Sequence, residues 1–192
     1  DDLYVVVMSA TIDAKKIGEY LGCNTPVIEV PGRTFPVKVE YKPTKTVVSA
    51  IQYALDSYDG NILVFLPGIY EIRKCESELR ETIEIDDVEI HVLHSSVNFE
   101  DQKKILTPPS NGIRRIIISS AIAETSLTIP GISVVIDSGL SRVNRLNIGT
   151  GMENLLTERE SDFSALQRTG RAGREKEGFC IRLWEEKNPL PK

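Results

Sequence analysis

The stretch Gln167-Arg168-Thr169-Gly170-Arg171-Ala172-Gly173-Arg174 decides how this chain is read. It places three arginines and a glutamine around two glycines within eight residues. Each guanidinium stays charged and offers a rigid five-donor fork that matches phosphate oxygens. Glycine lets the backbone turn tightly and come close to a bound anion. Arg171 and Arg174 are three apart, so on a helix or a tight turn they reach the same side. A solvated basic turn needs neither the glycines nor a glutamine four residues before Arg171.

The rest of the chain makes that anion site local. The 192 residues carry a net charge of −5, which excludes a generally basic nucleic-acid coat. Between Arg142 and Arg174, however, six arginines face four acids. A hydrophobic share of 41% and a charged share of 27% suit a globular domain with a full core. Cys23, Cys75 and Cys180 are far apart, with no C-x-x-C, and read as core thiols of a reducing compartment. His91 and His94 are three apart on an expected strand, so they face opposite sides and cannot chelate together. No signal peptide and no apolar run of transmembrane length is present.

Apolar runs alternate with helical patterns on both sides of the motif. Leu3–Met8, Val37–Tyr41, Asn61–Leu66, Glu89–Leu93, Arg114–Ser119, Ser133–Asp137 and Gly178–Trp184 read as strands. Asp13–Leu21, Thr46–Tyr58, Ile69–Ile83 and Phe99–Leu106 read as helices, with Asp13 as an N-cap. This order predicts an α/β fold, a parallel sheet flanked by helices. Its Val- and Ile-rich strands alternate little, as expected when both faces are buried. In such sheets ligands bind beyond the carboxyl ends of the strands. Pro67-Gly68, His94-Ser95-Ser96 and Ser120-Ala121 follow three of those ends. Between Arg142 and Thr157, Gly149-Thr150-Gly151 joins two strand-like stretches as an inserted β-hairpin. A chain opening on a buried strand is expected to be cut from something longer.

Four segments stand in one order: Ser9-Ala10-Thr11, Leu66-Pro67-Gly68-x-x-Glu71-Ile72, Ile122-Ala123-Glu124-Thr125-Ser126-Leu127-Thr128-Ile129, and Gln167-x-x-Gly170-Arg171-x-Gly173-Arg174. Together with Gly32-Arg33-Thr34-Phe35-Pro36-Val37, this set resembles the DEAH-box RNA helicases of superfamily 2 over nearly the whole chain. The I-A-E-T-S-L-T-I stretch is the most specific part, and the hairpin is also an element of that family.

The resemblance implies a RecA-like fold. Residues 1–30 would be the tail of a first RecA-like domain, with Ser9, Ala10 and Thr11 coupling ATP hydrolysis to strand movement. Residues 31–192 would be the second RecA-like domain, with its hairpin at about 142–157. It implies a fragment of an ATP-dependent 3′-to-5′ RNA helicase, supplying arginine fingers to ATP and backbone contacts to single-stranded RNA. Gln167 would place the attacking water, and Arg171 and Arg174 would contact the γ-phosphate. Arg168 reads rather as a structural salt bridge. Ser126 and Thr128 would face the nucleotide, and Leu106 stands where many members stack an aromatic on adenine. Gly68, Ser95, Ser96, Ser120 and Ala121 would line the RNA backbone, and Glu71 would orient its loop. The sequence departs from the family pattern at Ala121, Pro130 and Leu106.

No G-x-x-x-x-G-K-[ST] loop and no Asp-Glu-Ala-His run occurs, so the phosphate cradle and the Mg²⁺ ligands would belong to the absent part of the first domain. ATP and Mg²⁺ are therefore expected only in the full-length protein, and the fragment alone is expected to be inactive. Expected partners are single-stranded RNA or a duplex with a 3′ overhang, the first RecA-like domain, the C-terminal domains, and an activator protein. A bacterial, cytoplasmic source is expected. Two other readings stand beside this one: a catalytically inactive RNA- or partner-binding module of helicase fold, and a DNA helicase of the same superfamily.

Overall fold

The computed structural model describes residues 4–8, 14–22, 25–29, 32, 35–83, 88–108, 112–125 and 127–191. They fall into two compact units, residues 1–33 and 34–192. In the first unit, helix α1 (Ala14–Leu21) buries none of its residues. The expected N-cap Asp13 and strand residue Leu3 lie outside the described residues. Tyr4–Met8 forms no strand, and Tyr4, Val6 and Met8 are at least 78% exposed. A strand is held by a hydrogen-bonded neighbour, and this apolar run has none among the described residues.

The second unit runs β1 (Val37–Tyr41), α2 (Val47–Ser57), β2 (Asn61–Phe65), α3 (Ile69–Thr82), β3 (Val88–Leu93), α4 (Phe99–Leu106), β4 (Arg114–Ser119), α5 (Ile122–Thr125), β5 (Ile132–Asp137), β6 (Leu140–Asn147), β7 (Met152–Arg159), α6 (Asp162–Thr169) and β8 (Gly178–Arg182). Six strands form one sheet in the order β1-β8-β5-β2-β4-β3, and every pairing in it is parallel. The expected strands and helices of this unit are therefore present, with ends shifted by one or two residues.

Helices start where the sequence supplies caps. Thr46, Asn98 and Ser161 each accept a hydrogen bond from the backbone N–H three residues on. Helix α2 ends without a basic residue in its last turn. Arg114 of β4 replaces one, donating to the carbonyls of Leu55, Tyr58 and Gly60 at 2.8–3.0 Å.

The strand period of two divides the core. Ile62 and Val64 pack with Ile116, Ile118, Ile72 and Leu79 on one face. Leu63 and Phe65 pack with Ile117, Val135, Ile105 and Cys180 on the other. All five residues of β2 and all six of β5 are buried, which is why their sequences do not alternate. Cys75 and Cys180 are buried free thiols, both pushed up to about 12 chiefly by burial. Cys23 lies outside the described residues. Among the described residues no helix is long and apolar enough to cross a membrane.

Strands β6 and β7 form a separate antiparallel pair, joined at Gly149-Thr150-Gly151. The hairpin is longer than the expected 142–157 by two residues on each side. Its ladder continues to Leu140 opposite Arg159, and the Glu160 N–H then closes on the Gly139 carbonyl at 3.0 Å. Gly139 has φ +73°, and a Cβ there would lie 2.7 Å from the Trp184 ring. Both the turn and the close ring demand glycine at this foot.

Candidate nucleotide and nucleic-acid interface

Strand order positions the first group of residues. β2, β4 and β3 are neighbours, so the loops at their carboxyl ends lie in a row. That row contains Gly68, then Ser120 and Ala121, then Ser95 and Ser96. The sheet thus brings together the five residues that the sequence singles out for RNA.

Their surroundings differ. Gly68 caps α3 in an extended conformation that any residue could adopt. A Cβ there would sit 2.9 Å from Nε of Arg142 on the hairpin, a flexible side chain that can give way. Arg142 also reaches Glu71, Nη2 to Oε1 at 3.4 Å. Glu71 therefore holds the hairpin's base beside the Gly68 loop, in line with an orienting role. His94 lies past the end of β3, so it does not share a strand with His91. The Ser96 N–H donates to His94 Nδ1 at 3.1 Å, which puts the ring proton on Nε2. The Ser96 hydroxyl is 2.8 Å from the same nitrogen, whereas Ser95 is exposed. His91 instead meets Glu89, Nε2 to Oε2 at 3.0 Å. The buried Ser119 hydroxyl donates to the Leu93 carbonyl at 3.1 Å, fastening the β3 loop to the β4 loop.

The arginine-rich segment forms the second group. It begins in α6, a helix the sequence reading did not pick out. The Gln167 side chain is half-buried near the end of that helix. Neither motif glycine has a positive φ. Gly173 is required by packing, because its added Cβ would lie 2.5 Å from the Phe35 carbonyl oxygen and 2.8 Å from Val37 Cγ2.

Arg171 is 5% exposed, and its side chain docks on the I-A-E-T-S-L-T-I segment. Nε donates to the Glu124 carbonyl at 2.8 Å, Nη2 donates to the same oxygen, and Nη1 to the Leu127 carbonyl. Arg174 is exposed and donates through Nη1 to Thr128 Oγ1 at 2.8 Å. Burial, and then the positive charge of Arg174, lower Arg171 to about 10, with Glu124 pulling the other way. Two cations are thus held close by neutral acceptors, an arrangement that a polyanion relieves. Ser126 lies outside the described residues, as do Ser9, Ala10, Thr11 and Arg33. Leu106 is half-buried and packs on the core face around Ile105 and Phe65.

Arg168 is an internal tie. It is 1% exposed and lies over the Phe65 ring at 5.0 Å. Nε contacts Glu124 at 3.2 Å, and Nη1 contacts Asp137 at 2.9 Å and Glu160 at 2.6 Å. Nη1 also donates to the Leu140 carbonyl at 3.2 Å. Burial opposes its charge, but Asp137, Glu160 and Glu124 outweigh that and raise its pKa. Three carboxylates around one guanidinium leave excess negative charge in a poorly hydrated site. The excess falls on Glu160, pushed up to about 9 by burial and then by Asp137, against the pull of Arg168. Both Glu160 oxygens and Asp137 Oδ2 are buried without a hydrogen-bond partner among the described residues, so the 2.6 Å approach of Glu160 to Arg168 lacks hydrogen-bond alignment. Sequence reasoning found Arg168 but not its partners. The one available signal was an aspartate ending the otherwise apolar run Ile132–Asp137.

A family model described as the helicase conserved C-terminal domain matches residues 45–176. This chain belongs to that family. It is 38% identical to the ATP-dependent RNA helicase HrpA of Escherichia coli K12, and 37% to the HrpA homolog of Haemophilus influenzae. These matches cover 96% and 97% of the chain but 15% of each relative. A crystal structure of the E. coli DEAH/RHA helicase HrpB superposes with a TM-score of 0.88 at 35% identity, covering 96% of this chain and 25% of that one. The chain thus spans a quarter or less of these relatives. It is a RecA-like helicase C-terminal domain of the DEAH-box type, and the relatives named above are bacterial.

Proposed function

We propose that this domain forms one wall of an ATP site and one side of an RNA path in an ATP-dependent 3′-to-5′ RNA helicase. Residues 1–30 would be the tail of a first RecA-like domain and residues 31–192 the second. The observation that carries the reading is Arg171 and Arg174 gathered on Glu124, Leu127 and Thr128. The segment expected to face the nucleotide is the one that aims the arginines.

Phosphoryl transfer develops charge on the equatorial phosphate oxygens, and fixed guanidinium donors stabilise it without reorganising. Three of the five Arg171 N–H donors are used on carbonyls, so its role is to present an oriented edge. Arg174 is the freer finger, with Thr128 setting its direction. Gln167 would orient the attacking water, and Ser126 and Leu106 would meet the nucleotide. Mg²⁺ would be held by the partner RecA-like domain and would neutralise phosphate charge. Among the described residues no group of three His, Cys, Asp or Glu side chains is placed to hold a metal. On the RNA side, Gly68, Ser95, Ser96, Ser120 and Ala121 would meet the sugar-phosphate chain. Such contacts give position without base identity. Ser9, Ala10 and Thr11 would couple the two activities, in a cytoplasmic protein with RNA carrying a 3′ overhang as substrate and an activator protein as partner.

The test is Arg174→Ala in the complete helicase, read as RNA-stimulated ATP turnover. A fall of about 10³-fold is expected, with ATP affinity changing much less. Near-normal turnover would overturn the reading. The 192-residue chain alone should show no ATP turnover above a buffer control. Its RNA binding should be weak and strongly salt-dependent, because the chain is acidic overall. Sub-micromolar RNA binding at physiological salt would favour the binding-module alternative.

A further inference from the structure

We infer that Arg168 and Glu124 are positioning residues that transmit movement between the arginine-finger segment and the β-hairpin. The inference rests on the helicase reading above.

Four observations converge on it. The hairpin's two ends meet at Arg168, because Leu140 begins β6 and Glu160 directly follows β7. The hairpin touches the rest of the described domain through few polar contacts: this foot, Arg142 to Glu71, and Arg159 to Asn188 and Pro189. Glu124 takes Arg168 with its carboxylate and Arg171 with its carbonyl, so one residue is gripped from both sides. Asp137 and the Phe65 ring hold the same guanidinium against the rigid sheet.

The linkage therefore runs from the hairpin feet to Arg168, to Glu124, to Arg171. A shift of α5, the four-residue helix that carries Glu124, must either swing Arg168 about its Asp137 contact and so move the hairpin foot, or break its contact with the largely buried Glu124 carboxylate. Breaking such a contact leaves buried charge uncompensated. Moving the hairpin is the easier course, because most of it is exposed. The hydrogen bonds of Arg171 go to main-chain oxygens, so they survive a change of the Glu124 side chain. That separates transmission from finger placement.

The experiment uses the complete helicase and reads strand separation per ATP hydrolysed. Glu124→Ala should lower strand separation per ATP hydrolysed about tenfold, beyond any loss of RNA-stimulated hydrolysis itself, a size common for coupled neighbours. Glu124→Gln, which keeps an acceptor oxygen for Arg168, should restore most of the ratio. Removing the hairpin tip at residues 148–151 should lower the ratio in the wild type and add no further loss in Glu124→Ala. Parallel loss of hydrolysis and unwinding, or multiplicative losses in the double variant, would overturn the inference. A wild type without RNA-stimulated hydrolysis would instead overturn the helicase reading on which it rests. Arg168→Met strips the partner from two buried acids, Asp137 and Glu160, and threatens folding, so the Glu124 pair carries the test.

Discussion

All five residues of β2 are buried, whereas the first six of the eight in β7 are exposed. Both strands carry leucines, yet they are stabilised differently. β2 lies between β5 and β4 with helices over both faces, and its Leu63 and Phe65 are almost wholly withdrawn from water. β7 has one partner, and its Leu155 remains 60% exposed. Cross-strand polar pairs, such as Arg145 with Glu158 at 2.8 Å and Asn144 with Glu153 at 2.6 Å, replace a core there. The sheet is fixed by burial, whereas the hairpin is fixed mainly at its feet. A rigid platform carrying a loosely supported arm suits a machine in which one part must move against the other.

The sharpest way to break this contrast is to shave one side chain from each region. Phe65→Ala should cost about 3–5 kcal/mol in urea unfolding, from lost burial and the cavity left under Arg168. Leu155→Ala should stay within about 0.5 kcal/mol. Comparable losses would mean that the hairpin has a hidden core role. Next in size, Arg171→Ala should cost about 1–3 kcal/mol, because the Glu124 and Leu127 carbonyls lose their donors. Arg174→Ala should leave the unfolding midpoint unchanged, since that side chain is exposed. The two fingers would then be alike in turnover and unlike in stability, and equal midpoints would refute the separation.

The remaining test concerns the hairpin foot. Glu160 holds its proton in the folded chain up to about pH 9, whereas an unfolded glutamate releases it near 4.5. Its contribution is therefore full below the unfolded value and is lost as pH rises toward about 9. The urea midpoint of the wild type should fall between about pH 5 and pH 8.5 more steeply than that of Glu160→Gln. Identical slopes would show that another group holds the proton.

Much of the sheet was legible because a doubly covered strand writes itself as a Val- and Ile-rich run with little alternation, as in Ile132–Asp137. The same rule misled at Tyr4–Met8, where an apolar run alone cannot specify a neighbour to pair with. Helix α6 escaped because its eight residues bury only Ala165, Arg168 and Thr169, a stripe too short and too polar for periodicity to show. The site was legible as motifs and not as contacts. Arg171 was read as free to meet a ligand, but its carbonyl partners lie 44 and 47 residues earlier. Nothing local announces a main-chain acceptor. The carboxylate set around Arg168 was hidden for the same reason, since Glu124, Asp137 and Glu160 come from three different elements.

One pairing has a consequence for how the chain acquires its structure. Among the described residues β1 bonds only to β8, with Val37 opposite Gly178. The first strand of the sheet to leave a ribosome must therefore wait for the last. At about 5–20 residues per second, the intervening stretch of roughly 140 residues takes about 7–28 s to synthesise. Throughout that interval Val37 and Val39 have no sheet to enter, while β2, β3, β4 and β5 can already assemble. The charged residues Lys38 and Glu40, which alternate with those valines, keep the waiting segment from pairing with a neighbouring nascent chain.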